Sequence, residues 1–72
     1  MTTVLVFKTS VTKRNQVRRL RPLLNRILNE NGKWNFDLED CDNILRVETH
    51  RPVPAVISHV LELHGFYCEE LQ

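Results

Sequence analysis

The sequence predicts an α+β sandwich, with two helices packed on one face of a four-stranded antiparallel sheet. Three observations lead there. The apolar pattern alternates between strand and helix periods in the order β-α-β-β-α-β. That order fills 72 residues, one domain spanning 1–72 with no room for a second core. Right-handed crossovers then place the strands in the order 4-1-3-2, which is the ferredoxin-like arrangement.

Strand one is predicted over 3–9. Val4 to Phe7 is a β-branched and aromatic run ended by Lys8-Thr9-Ser10. All four central residues are apolar, as in a strand with neighbours on both sides. Either Val4 and Val6 or Leu5 and Phe7 could therefore face the helices. Thr12 is suited to cap a helix whose stripe is Val17, Leu20, Leu24, Ile27 and Leu28, and Asn31-Gly32 reads as its stop. Pro22 lies within this pattern and removes a bond to the carbonyl of Arg18. The stripe keeps its phase through it, so one kinked helix is expected, not two.

Trp34, Phe36 and Leu38 alternate with Asn35, Asp37 and Glu39 as a half-buried strand. Asp40-Cys41-Asp42-Asn43 is a turn cluster, and Ile44 to Glu48 forms strand three, with Leu45 and Val47 inward. Strands two and three thus make a hairpin. After the loop His50–Pro54, Pro54 suits the first turn of a second helix with Ile57, Val60 and Leu61 inward. Gly65 ends it, and Phe66 to Leu71 is predicted as strand four. This topology brings the first loop, the hairpin turn and the Gly65-Phe66 corner to one pole.

The bulk composition is that of an ordinary globular chain, 42% hydrophobic and 26% charged. A net charge of +1 gives no global attraction to nucleic acid or anionic membrane. The apolar run Val4–Phe7 is too short for a signal-peptide core or a membrane span. With two cysteines and no export signal, a cytoplasmic protein with reduced thiols is expected.

In its arrangement the chain resembles the heavy-metal-associated domain, the fold of small copper chaperones and mercury-binding proteins. That family carries Met-Thr-Cys-x-x-Cys at the first loop, then a valine and two further apolar residues three and four positions apart. Here the loop reads Val11-Thr12-Lys13-Arg14-Asn15-Gln16, followed by Val17, Leu20 and Leu24. The hairpin Trp34–Asp40 and the proline-led helix Pro54 to Gly65-Phe66 are also similar. The resemblance implies a ferredoxin-like fold in which Lys13 and Gln16 occupy the two metal-loop positions. An ammonium and a carboxamide cannot replace two thiolates, so the metal-binding loop is degenerate and no cofactor is expected.

Soft metals such as copper(I) require thiolates held close together, and only Cys41 and Cys68 are available. At about 4.8 Å per strand step they should stand roughly 10–14 Å apart, beyond the ~7 Å Cα limit of a disulfide. Cys68 is expected to pack in the core and Cys41 to be exposed between Asp40 and Asp42. His64, at the end of helix two and near Cys68, would be the best available companion ligand. His50 falls at the opposite pole, and His59 at the helix margin or in solvent. No nucleophile-base-acid set, phosphate-cradling glycine loop or carboxylate pair is present, so no enzyme is expected.

Charge is segregated along the chain. Lys13, Arg14, Arg18, Arg19, Arg21 and Arg26 gather on helix one, while Asp37, Glu39, Asp40 and Asp42 gather in the hairpin. Lys13 and Arg14 in a helix's first turn oppose its dipole by about 0.3–1 kcal/mol each, so a negative group should face them. The expected role is interaction with a protein partner, or weak homodimerisation, through the open sheet face and the charged pole. The pole residues are Lys13, Arg14, Arg18, Arg19, Glu39, Asp40 and Asp42. Two alternatives remain: a metal-binding or transport protein using Cys41, Cys68 or His64, and a nucleic-acid binder using helix one. RNA-recognition motifs share this element order but read bases with aromatics on the central strands, where this chain offers only Phe7. A contiguous apolar patch on the open face is also expected, from the outward pair of strand one with Ile44 and Tyr67.

Overall fold

The computed structural model describes residues 2–29, 32–39 and 41–71. Strand β1 (Thr3–Thr9), helix α1 (Arg14–Leu28), strands β2 (Gly32–Asp37) and β3 (Ile44–Thr49), helix α2 (Pro54–Leu63) and strand β4 (Cys68–Leu71) follow in the expected order. The sheet is antiparallel with strand order β2-β3-β1-β4, so β1 and β3 are central and β2 and β4 form the edges.

The register of β1 is settled by its burial. Leu5, Phe7 and Thr9 point to the helices, and Val4, Val6 and Lys8 to the open face. Leu5 pairs with Val47 and Phe7 with Leu45, and both partners are fully buried. The core closes with Val11, Leu20, Leu24 and Leu28 from the first loop and α1, and Ile57 and Leu61 from α2. Burying such side chains supplies about 1.5–3 kcal/mol each, the main force behind a fold of this size. Pro22 lies on the exposed side of α1, which runs through it without interruption. The carbonyl that loses its partner therefore faces water.

Both ends of α1 differ from expectation. The helix starts at Arg14 with Lys13 as its N-cap, not Thr12. The Gln16 Oε1 atom accepts hydrogen bonds from the N–H groups of Thr12 (2.9 Å) and Lys13 (3.1 Å), so the acceptor comes from inside the helix. This is the return arm of a capping box, and the lysine cannot supply the outward arm. The helix ends at Leu28, with Asn29 at the C-cap and a φ of 51° that asparagine tolerates. Gly32 is no helix stop. It opens β2, where a Cβ would stand 2.6 Å from the backbone oxygen of Glu48. The other half of that expected stop, Asn31, lies outside the described residues.

Strand β2 ends at Asp37, so Leu38 packs on the core from the turn, and β3 reaches one residue further, to the buried Thr49. The Thr49 hydroxyl accepts from the Arg51 N–H (3.0 Å) and contacts its carbonyl (3.2 Å), which closes the loop into α2. Strand β4 begins at Cys68, not Phe66. The Phe66 N–H returns to the Leu61 carbonyl (2.9 Å) and the Gly65 N–H to Glu62 (3.0 Å), a Schellman closure with Gly65 at φ 84°. Those bonds hold 65–66 to the end of α2.

The three segments expected at one pole are joined there by hydrogen bonds. The Thr9 N–H donates to the Asp42 carbonyl (3.3 Å) and its hydroxyl to Asn43 (2.6 Å). Ser10 and Tyr67 exchange two bonds, Ser10 N–H to the Tyr67 carbonyl (3.1 Å) and Tyr67 N–H to Ser10 Oγ (2.8 Å). No helix is long and apolar enough to cross a membrane, among the described residues.

Candidate functional site

A trough of about 650 Å³ lies between α1 and the edge strand β2. Helix α1 lies over this end of the sheet, where Trp34 and Phe36 pair with Val47 and Leu45 and so point to the helical side. Asn25 fixes the distance between the two walls. Its Oδ1 accepts the Trp34 indole N–H at 2.8 Å. The Trp34 and Phe36 rings meet edge to face, 5.8 Å apart at 75°, a favoured aromatic geometry that stiffens the floor. Both rings are only half-buried, so their remaining surface lines the trough.

The helical wall carries Arg14, Arg18 and Arg21. Their spacing of four and three residues puts all three on one helix face. None of them makes an ion pair within 4 Å among the described residues. Glu39 lines the same trough at the end nearest the start of α1; Asp37 borders it, but pairs in register with Ile44, so its carboxylate lies on the open face and accepts from the Glu39 N–H (3.2 Å). Three guanidiniums against the carboxylate of Glu39 leave the trough net positive, with its unopposed charge around Arg18 and Arg21.

The predicted interaction residues divide. Arg14, Arg18 and Glu39 line the trough; Lys13 and Arg19 are exposed but do not. Asp42 instead faces Lys8 at 3.7 Å. Asp40 lies outside the described residues. Sequence reasoning left Arg21, Trp34 and Phe36 out of the candidate site. The signal was present: an arginine row at positions 14, 18 and 21, and a strand whose aromatics must face whichever helix covers it.

The metal candidates do not converge. Cys41 is exposed in the β2–β3 turn and Cys68 is half-buried on β4, and both are free thiols. Burial pushes the Cys68 thiol above its ordinary value, with the charge of Glu62 adding to the rise and a hydrogen bond with Ser58 opposing it. His64 is the C-cap of α2, and its Nδ1 lies 2.9 Å from the Val60 carbonyl, which leaves Nε2 as its outward nitrogen. No group of three or more His, Cys, Asp or Glu suited to a metal ion occurs among the described residues. Lys13 is the N-cap of α1 and Gln16 its acceptor, so both positions serve the helix end.

The open sheet face holds Val4, Val6, Ile44, Tyr67 and Leu71. Val4 is 47% and Tyr67 52% exposed. The register sets Val6 beside Leu71 but surrounds that pair with Arg46, Glu48, Lys8 and Glu69. The Arg46–Glu48 ion pair at 3.1 Å crosses the same face. The expected patch is therefore a short apolar stripe within a charged lattice. Tyr67 donates to Glu69 at 2.8 Å, and that bond raises its pKa.

Comparison with known proteins finds no match: no family model, no curated protein and no solved structure.

Proposed function

We propose that this chain is a non-enzymatic interaction domain that binds a polypeptide partner in the trough between α1 and β2. The observation that carries this reading is the row Arg14, Arg18 and Arg21, unpaired among the described residues, above a half-exposed Trp34–Phe36 floor. Arginine and tryptophan are the residues that most often dominate binding energy at protein interfaces. Guanidiniums without partners keep their full donor capacity for a ligand. We further read the domain as a ferredoxin-like member of the heavy-metal-associated type that has exchanged its thiolate pair for a helix cap. The return arm from Gln16 to Lys13 supports that exchange. A reducing, cytoplasmic setting suits its two free thiols.

The test is an unbiased peptide-display selection on the folded domain, run in parallel on an Arg18→Glu/Arg21→Glu variant. The reading predicts enriched sequences that bind the wild type and are lost on the variant. Enrichment equal on both proteins, or none on either, contradicts it.

A further inference from the structure

Resting on the trough reading, we propose that the partner is an extended acidic peptide that adds to the sheet as a fifth strand along the free edge of β2. Its alternate carboxylates would meet the α1 arginine row. Strand β2 pairs only with β3 among the described residues, so its other edge presents unpaired backbone groups. The ladder from Gly32–Thr49 to Asp37–Ile44 runs without a bulge, and β2 contains no proline. It thus lacks two of the devices by which natural edges avoid further pairing. The opposite edge, β4, is shorter at four residues and carries Glu69 and Glu70.

The dimensions agree. Side chains on one face of an added strand recur every ~6.6–6.8 Å. Arg14, Arg18 and Arg21 rise along α1 by about 6 Å and then about 4.5 Å. A carboxylate at every second peptide residue therefore stays within reach of a guanidinium along the row. The Glu39 end disfavours a further acid, so the acidic residues belong opposite Arg18 and Arg21. The methylene stems of those acidic side chains would cover the remaining surface of Trp34 and Phe36, while the alternate apolar residues face the open side of the sheet.

Other occupants fit less well. Two copies joined edge to edge through β2 would set two arginine rows face to face. A nucleic acid would bring its phosphates against Glu39, and those phosphates have no proton to donate to the strand's C=O groups.

Trp34 is the only tryptophan and lies in the trough, so its emission reports binding directly. The probe is a synthetic peptide of about eight residues, a usual strand length, alternating glutamate and valine. Two further versions are N-methylated on either its odd or its even amides. An added strand turns only alternate amides toward the protein, so methylating one set should weaken binding by about tenfold or more, and the other set little. A lysine–valine peptide and a single-stranded oligothymidylate should not bind. Arg18→Glu/Arg21→Glu should lose the glutamate peptide while keeping its circular-dichroism melt. Equal binding of both methylated peptides would overturn strand addition and leave trough binding standing. Binding of the oligothymidylate in place of the peptide would overturn the partner class. No response to the glutamate peptide would overturn the proposal, while the display selection tests the trough reading separately.

Discussion

Gln16 holds the first turn of α1 through one side-chain oxygen. Replacing it with alanine removes acceptors for two N–H groups, at 2.9 and 3.1 Å. Both bonds are solvent-exposed, so water takes over part of the role. The cost should then be that of a lost cap, about 0.5–1.5 kcal/mol, and not two full buried hydrogen bonds. Alanine's higher helix propensity returns a few tenths of a kcal/mol. For a domain of this size each ~1 kcal/mol lowers Tm by roughly 4–8 °C. Gln16→Glu keeps the acceptor oxygens and adds a negative charge beside Lys13 and Arg14, in a first turn that has no acid. It should stabilise by about 0.3–1 kcal/mol relative to wild type, with the gain fading at high salt. Thermal melts at low and high ionic strength measure both changes. An alanine variant as stable as wild type, or a glutamate variant with no salt-dependent gain, would refute the capping role.

Four further outcomes are expected. Lys13→Cys/Gln16→Cys would place a thiolate pair in the first loop and, on the proposed heavy-metal-associated reading, should retain one copper(I) per chain against a chelator, as read by native mass spectrometry, where wild type retains none; failure of the variant would count against that proposal. Gly32→Ala forces a Cβ against the Glu48 oxygen and the Thr49 side chain, so β2 must shift. It should cost about 1–3 kcal/mol, as a lower denaturant midpoint at unchanged m-value. Iodoacetamide should modify exposed Cys41 well before Cys68. Because burial raises the Cys68 pKa above its ordinary 9.0, the unfolded chain loses that proton first, so stability should decline as pH rises above 9.0. Equal labelling of the two thiols, a flat alkaline stability profile in wild type, or the same decline in Cys68→Ser would contradict this.

The element order and the inward residues Leu45, Val47, Ile57 and Leu61 were legible because periodicity reports which face is buried. The register of β1 was not, since four consecutive apolar residues fit either phase; only the pairing of Leu5 with Val47 and Phe7 with Leu45 decides it. Element ends failed where a tertiary or side-chain bond overrode local preference. Gln16 moved the start of α1, and the Schellman bonds of Gly65 and Phe66 delayed β4. Gly32 was misread because a glycine needed for close backbone approach looks, in sequence, like one needed for a positive φ. The candidate site was half legible. Arg14, Arg18 and Glu39 were singled out by charge alone. Arg21, Trp34 and Phe36 join them only once α1 is placed over β2.

The most direct test of the trough as the binding surface is amide chemical-shift mapping of the domain titrated with the glutamate–valine peptide. The account predicts saturable shifts along α1 from Arg14 to Asn25 and along β2 from Trp34 to Leu38, with Val4, Val6 and Arg46 on the open face unmoved. Shifts confined to the open face, with the α1 and β2 amides unchanged, would contradict it.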